Sequence, residues 1–286
     1  MDYDRIMIMK DNSFNEISPT AIQGAYYKTF TDVPYSKEIL HEARKYEDLP
    51  SDIIIDKHSI IREARHKIVS EFLAKSGISQ VFEIAAGYSP RGLIFTEDEN
   101  CEYVEMDLPI VAENKKKVVN SISKRQNLHI LSGNALDKEV FDEATKYFDT
   151  KKPVAVVNEG LLRYLTFEEK AILATNIHQL LKHFGGVWVT GDGGFIDFRK
   201  NQNNTLPNLD MNMRRRISRN ALSNVFNDKQ QFDEFFDKVG FTTEFHEYGE
   251  MLGDLSSTKT LGVEDDQAKD LSAGAFAVVL RAKNEL

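Results

Sequence analysis

The chain has 286 residues, with 36 Lys and Arg against 45 Asp and Glu and a formal net charge of −9. An acidic balance of this size argues against gripping nucleic-acid phosphates or anionic membranes, and 41% hydrophobic residues exclude a disordered chain. The single cysteine, Cys101, excludes an internal disulfide and a cysteine-built zinc site, and suits a reducing compartment.

The first residues carry no basic start and no long apolar run, so no signal peptide is expected. No stretch reaches the roughly 20 apolar residues of a membrane span. A soluble, cytoplasmic protein is expected. The first fifty residues read as helical, with a turn near Asp32–Tyr35 and a break at Leu49–Ser51. From Ile60 to Leu73 apolar residues recur with a helical period, with Asp56 as cap and Gly77 as terminator. Val81–Gly87 then reads as a buried strand, and Tyr103–Asp107 as a second. Pro109 suits the first turn of a helix. Leu128–Leu131 is a third strand, Asp137 a helix cap, and Val154–Val157 a fourth strand. Thr166 and Glu169 have capping-box spacing before a helix that Gly185-Gly186 ends. Val187–Thr190 is a fifth strand. Asp228 with Gln231 starts a helix running to Gly240, and Phe241–Phe245 and Ala275–Leu280 complete seven strands. Such alternation implies an α/β fold with a largely parallel sheet covered on both faces. Thr190–Asn227 has no strand signal and reads as an insertion over the sheet.

In such sheets ligands bind outside the carboxyl ends of the strands. The first strand ends at Gly87, where a glycine admits a ligand close to the backbone. Asp107 ends the second strand 20 residues later, at the spacing where a carboxylate accepts from both ribose hydroxyls. That pairing alone does not separate a nicotinamide cofactor from S-adenosylmethionine. Ala85 and Ala86 stand where a dinucleotide fingerprint has further glycines. A pyrophosphate needs those close approaches and a sulfonium does not, and seven strands with a late pair suit a methyltransferase better than an oxidoreductase.

Ser18-Pro19-Thr20-Ala21, Ala64-Arg65, Glu83 through Arg91, Tyr103 through Pro109 and Asn158 through Leu165 occur in that order. Together they resemble the leucine carboxyl methyltransferase family, in particular its microbial branch similar to polyketide O-methyltransferases. The resemblance implies a Rossmann-like seven-stranded sheet, mostly parallel with one antiparallel strand and helices on both faces. Residues 1–76 would be an N-terminal helical extension forming part of a lid, and 77–286 the core, with an inserted lid at about 191–227. It implies S-adenosyl-L-methionine as methyl donor, S-adenosyl-L-homocysteine as product, no metal, and methyl transfer to a carboxylate or hydroxyl oxygen of a small molecule. Arg65 would pair with the methionine carboxylate, as a guanidinium does bidentately. Glu83 would belong to the cofactor site, Gly87 would lie under the methionine moiety, Asp107 and then Glu105 would take the ribose, and Asn134 and Ala135 would flank the adenine. Glu159 would face the methionine amino group or the methyl, acting with Tyr164 in catalysis. Arg163, Tyr164, Tyr27 and Asp192 would meet the acceptor. A carboxylate acceptor needs no base, whereas a hydroxyl benefits from one. The candidates are His58, His66, His246, Glu159 and Asp192, and no histidine stands in a recognisable motif. No nucleic acid or membrane partner is implied, and the state would be monomer or homodimer. Other readings are methyl transfer to a protein C-terminal carboxylate, a nucleotide-dependent oxidoreductase, and a non-catalytic cofactor-binding module.

Overall fold

The computed structural model describes residues 19–49, 58–198 and 222–283. Seven strands form one sheet. They are β1 (Gln80–Ile84), β2 (Glu102–Asp107), β3 (Leu128–Ser132), β4 (Val154–Asn158), β5 (Gly186–Thr190), β6 (Phe241–Glu247) and β7 (Phe276–Ala282), in the order β3-β2-β1-β4-β5-β7-β6. The first five pair in parallel, and β7 runs antiparallel to both β5 and β6. This is the mostly parallel sheet with one antiparallel strand that the sequence implied. The helices are α1 (Pro19–Lys28), α2 (Ser36–Ala43), α3 (His58–Ser76), α4 (Arg91–Phe95), α5 (Pro109–Ile122), α6 (Lys138–Ala144), α7 (Phe167–Phe184), α8 (Lys229–Val239), α9 (Ser256–Leu261) and α10 (Asp265–Ser272).

The central strands β1 and β4 are buried along their whole length, as strands covered on both faces must be. Phe82, Ile84, Val104, Val156 and Trp188 pack on one face against the apolar stripes of α6, α7 and α8. Val81, Tyr103, Ala155, Val157 and Val189 pack on the other face against α3 and the segment around Met251 and Ala268. Ile84 aligns with both Met106 and Asn158, so β1, β2 and β4 end level. Strand order reverses between β1 and β4, which opens a crevice there.

Local signals set the element ends. Thr166 and Glu169 form the reciprocal capping box of α7, and Asp228 accepts from the Gln231 amide at the start of α8. Gly77 ends α3 with φ 65°. Asp137 takes the N-cap position of α6 without a capping hydrogen bond. Asp56 and residues 199–221 of the expected insertion lie outside the described residues. At the base of that insertion the Ile196 amide donates to the Phe226 carbonyl at 3.0 Å, and Phe195 and Phe226 both pack on Phe232. Between β6 and β7 the structure adds the 3-10 turns Tyr248–Asp254, α9 and α10. These are too short and polar to show a period in the sequence. Among the described residues no helix is long and apolar enough to cross a membrane.

Candidate functional site

A cavity opens at the carboxyl ends of β1, β2 and β4, with α1 lying across it. Small residues of α1, Ala21, Gly24 and Ala25, line it together with Lys28. These positions recur on one helical face, so α1 covers the cavity without filling it.

At one end stands the turn after β1. Ala85 and Gly87 both have positive φ, 53° and 50°. This conformation points the Gly87 amide at Asp107, whose Oδ2 accepts at 2.6 Å, while Oδ1 accepts from the Leu108 amide at 2.7 Å. Burial raises the Asp107 carboxyl above its ordinary range, and these two amide bonds oppose the rise. A carboxylate has about four acceptor positions, so Asp107 keeps capacity for two hydroxyl donors. Asn134, Ala135, Leu108 and Val111 continue the wall. Glu105 does not line it. Strand alternation puts Glu105 on the same face as Asp107, but α5 covers that face and Lys115 pairs with the carboxylate at 2.6 Å. Burial pushes the Glu105 carboxyl up, with Lys115 opposing.

At the other end is a dense charge cluster. Glu159 follows β4, and Arg65 reaches it from α3, Nε to Oε2 at 3.3 Å. The approach is tightest at Gly191. A Cβ on Gly191 would lie 2.6 Å from Arg65 Cγ, and one on Gly160 3.6 Å from its terminal nitrogens. Beneath them Arg91 of α4 is fully buried. It donates from Nε to Ser70 Oγ at 3.0 Å, and from its terminal nitrogens to Glu83 and Glu159. One of those nitrogens also lies 3.0 Å from His66 Nδ1. A guanidinium only donates, so His66 Nδ1 is the acceptor and the ring is neutral. Burial and then Arg91 lower the His66 pKa to about 3. Burial works against charge on Glu159, but Arg91 and Arg65 outweigh it and hold that carboxyl well below its usual range. Lys28 lies above the cluster, about nine-tenths buried, and its ammonium makes no ion pair among the described residues. Burial lowers its pKa to about 8, partly offset by Glu159.

The residues expected to meet an acceptor separate into two groups. Arg163 and Tyr164 line the cavity, the guanidinium 5.4 Å from the ring centre. Arg62 and Phe198 line it too. Tyr27 does not: it is fully buried, with the Arg62 guanidinium 3.7 Å from its ring centre. Asp192 also turns away from the cavity wall. Its Oδ1 accepts from the Gly160 amide at 2.6 Å, and its Oδ2 from Asn158 Nδ2, Leu161 N and Leu162 N at 2.8–2.9 Å. It therefore shapes the turn that carries Glu159 and Tyr164. His246 sits on β6 against Phe72 and beside Glu244, away from the cavity. Of His58, only the backbone at the start of α3 is described. Glu83 does line the cavity, though Arg91 and Tyr103 engage its carboxylate.

No local pattern in the sequence marks Lys28, Arg62, Arg91 or Phe198 for the site, and His66 stands in it only as a candidate base. Arg91 stood in a singled-out motif, and its following short helix gave no reason for a cation to turn inward. Lys28 offered only a polar residue ending an apolar helix.

The family model of leucine carboxyl methyltransferases matches residues 36–178. Among solved structures, a DUF574-family protein of Streptomyces avermitilis aligns with a TM-score of 0.56 and 14% identity, covering 92% of this chain and 97% of its own. A protein of Thermobifida fusca assigned to the methyltransferases aligns with a TM-score of 0.52 and 14% identity, covering 91% and 94%. The methyltransferase domain of the bacterial protein CtHen1 aligns with a TM-score of 0.52 and 11% identity, covering 78% and 100%. Curated proteins include no match.

Proposed function

The chain belongs to the leucine carboxyl methyltransferase family, and from that premise we propose that it transfers a methyl group from S-adenosylmethionine to an oxygen of a small molecule, preferentially a carboxylate. The observation that carries this reading is the polarity of the cavity. The Gly87–Asp107 pair offers hydroxyl acceptors at one end, and Lys28, Arg65 and Glu159 offer two cations and an anion at the other. That is complementary to a ribose and to an amino-acid zwitterion respectively. Lys28 and Arg65 would hold the methionine carboxylate, and Glu159 the amino group. Asp107 would hold the ribose, while Asn134 and Ala135 would border the adenine.

The donor, once bound, supplies an electrophilic methyl carbon: a C–O bond forms as the S–C bond breaks, and the sulfonium charge disappears. The chain's task is alignment of an acceptor oxygen on that axis. Arg62 and Arg163 are placed to hold an anionic acceptor, and Tyr164 and Phe198 to flank its body. Glu159 is a poor base, because its cationic neighbours hold its carboxyl well below the usual range. His66 is engaged by Arg91 and lies off the cavity wall. Among the described lining residues there is no histidine. An acceptor already ionised needs none, which favours a carboxylate over a neutral hydroxyl.

Isothermal titration calorimetry with S-adenosylhomocysteine and with NAD tests the reading. Binding of the first, with little or none of the second, is expected. Absence of S-adenosylhomocysteine binding to pure, folded protein would overturn it.

A further inference from the structure

Arg91 reaches no part of the cavity surface, yet it contacts Ser70 and His66 of α3, Glu83 of β1 and Glu159 after β4. Its side chain comes from α4, just past the Gly87 turn, and ends under Glu159, 68 positions away in the chain. Three supports hold it. Ser70 Oγ on α3 takes the Nε hydrogen, Glu83 on β1 takes one terminal nitrogen, and His66 Nδ1 on α3 faces the other. The last contact, to Glu159, is made by that same second nitrogen.

Glu159 Oε1 thereby faces Arg91, and Oε2 faces Arg65. Asp192 fixes the backbone of the following turn. A planar guanidinium held at both ends sets the rotation of the carboxylate it touches. Arg91 also balances two buried carboxylates, which would be costly to leave unpaired. His66, locked as the neutral tautomer, fills the space without adding charge.

We propose that Arg91 is a positioning residue for the amino-acid end of the cofactor site. It aims the Glu159 carboxylate into the cavity from below while touching no ligand itself. This rests on the methyltransferase reading above, because it presupposes that Glu159 receives the amino group of an S-adenosyl ligand.

The test compares two ligands that differ at that end only. S-adenosylhomocysteine carries the amino acid, whereas 5′-methylthioadenosine keeps the adenosine and thioether and lacks it. Both are titrated calorimetrically into the full chain and its variants. Arg91→Lys keeps the positive charge, but one ammonium cannot bridge Ser70, Glu83 and Glu159 together. It is expected to weaken S-adenosylhomocysteine about tenfold and to leave 5′-methylthioadenosine within twofold. Ser70→Ala removes only the Nε acceptor, and is expected to weaken the first ligand about threefold with the second unchanged. It decides the matter alone if Arg91→Lys does not fold. Equal losses for both ligands would show a merely structural role and overturn the proposal, as would undiminished S-adenosylhomocysteine binding. A parent protein that binds neither ligand would instead remove the functional reading beneath it.

Discussion

Lys28 shows how a single side chain takes its charge state from its surroundings. An ammonium in water titrates near 10.5, and burial beside Arg65 and Arg91 brings this one to about 8. Below that pH Lys28 is charged and attracts a carboxylate; above it the attraction fades. The affinity for S-adenosylhomocysteine is therefore expected to fall as pH rises from 7 to 9, read by calorimetry. Lys28→Met should bind about tenfold more weakly at pH 7 and lose most of that decline. A decline of equal steepness in the variant would place the titrating group elsewhere. Glu105 makes the opposite point. Its spacing suits a ribose, but Lys115 reaches it first, within the core.

At the scale of the element, the turn from β1 to α4 departs from the sequence expectation in an informative way. Ala85 stands where a dinucleotide fingerprint has a glycine, which argues against a pyrophosphate ligand. The backbone keeps the left-handed conformation regardless, with φ 53°. An L-residue there costs on the order of 1 kcal/mol. The fold retains it because the turn must place the Gly87 amide on Asp107, and because the Ala86 amide bonds the Met106 carbonyl at 3.0 Å. Ala85→Gly is expected to stabilise the protein by about 0.5–1 kcal/mol, measured by urea unfolding. A loss of stability would mean that the methyl group packs favourably enough to outweigh the strain. The turn after β4 is organised differently, from outside: Asp192 collects three amides and the Asn158 side chain, and Asn158 in turn accepts from Trp188 Nε1 at 2.7 Å. The family resemblance implies an acceptor contact for Asp192, but its oxygens are engaged by backbone amides and the Asn158 side chain.

Across the whole molecule, the buried cluster couples the site to global stability. His66 has its pKa lowered from 6.5 to about 3 in the fold. Below about pH 6.5 the unfolded chain takes up a proton that the folded chain refuses. Its contribution is therefore complete above pH 6.5 and is lost progressively as pH falls toward 3. His66→Gln offers Arg91 a carbonyl acceptor without a titrating ring. Urea midpoints, followed by the fluorescence of the single, fully buried Trp188, should fall less steeply between pH 6.5 and 4 in the variant than in the parent. Parallel slopes would assign the acid sensitivity to other groups.

The sequence by itself determined the strands, their mostly parallel arrangement, the α7 and α8 caps, and the Gly87–Asp107 pair. Each depends on residues within a few positions of one another, or on a spacing that one strand–helix–strand unit imposes. The short elements between β6 and β7 escaped notice because α9 has six residues and α10 eight, too few to display a period. Only the tertiary structure decided which charges face the cavity. Glu105 and Asp192 turn to Lys115 and to backbone amides, while Lys28, Arg65 and Glu159 converge from α1, α3 and the end of β4 over the buried Arg91. Charge in a core is stabilised by partners, and those partners are separated in the chain by lengths that no local pattern records.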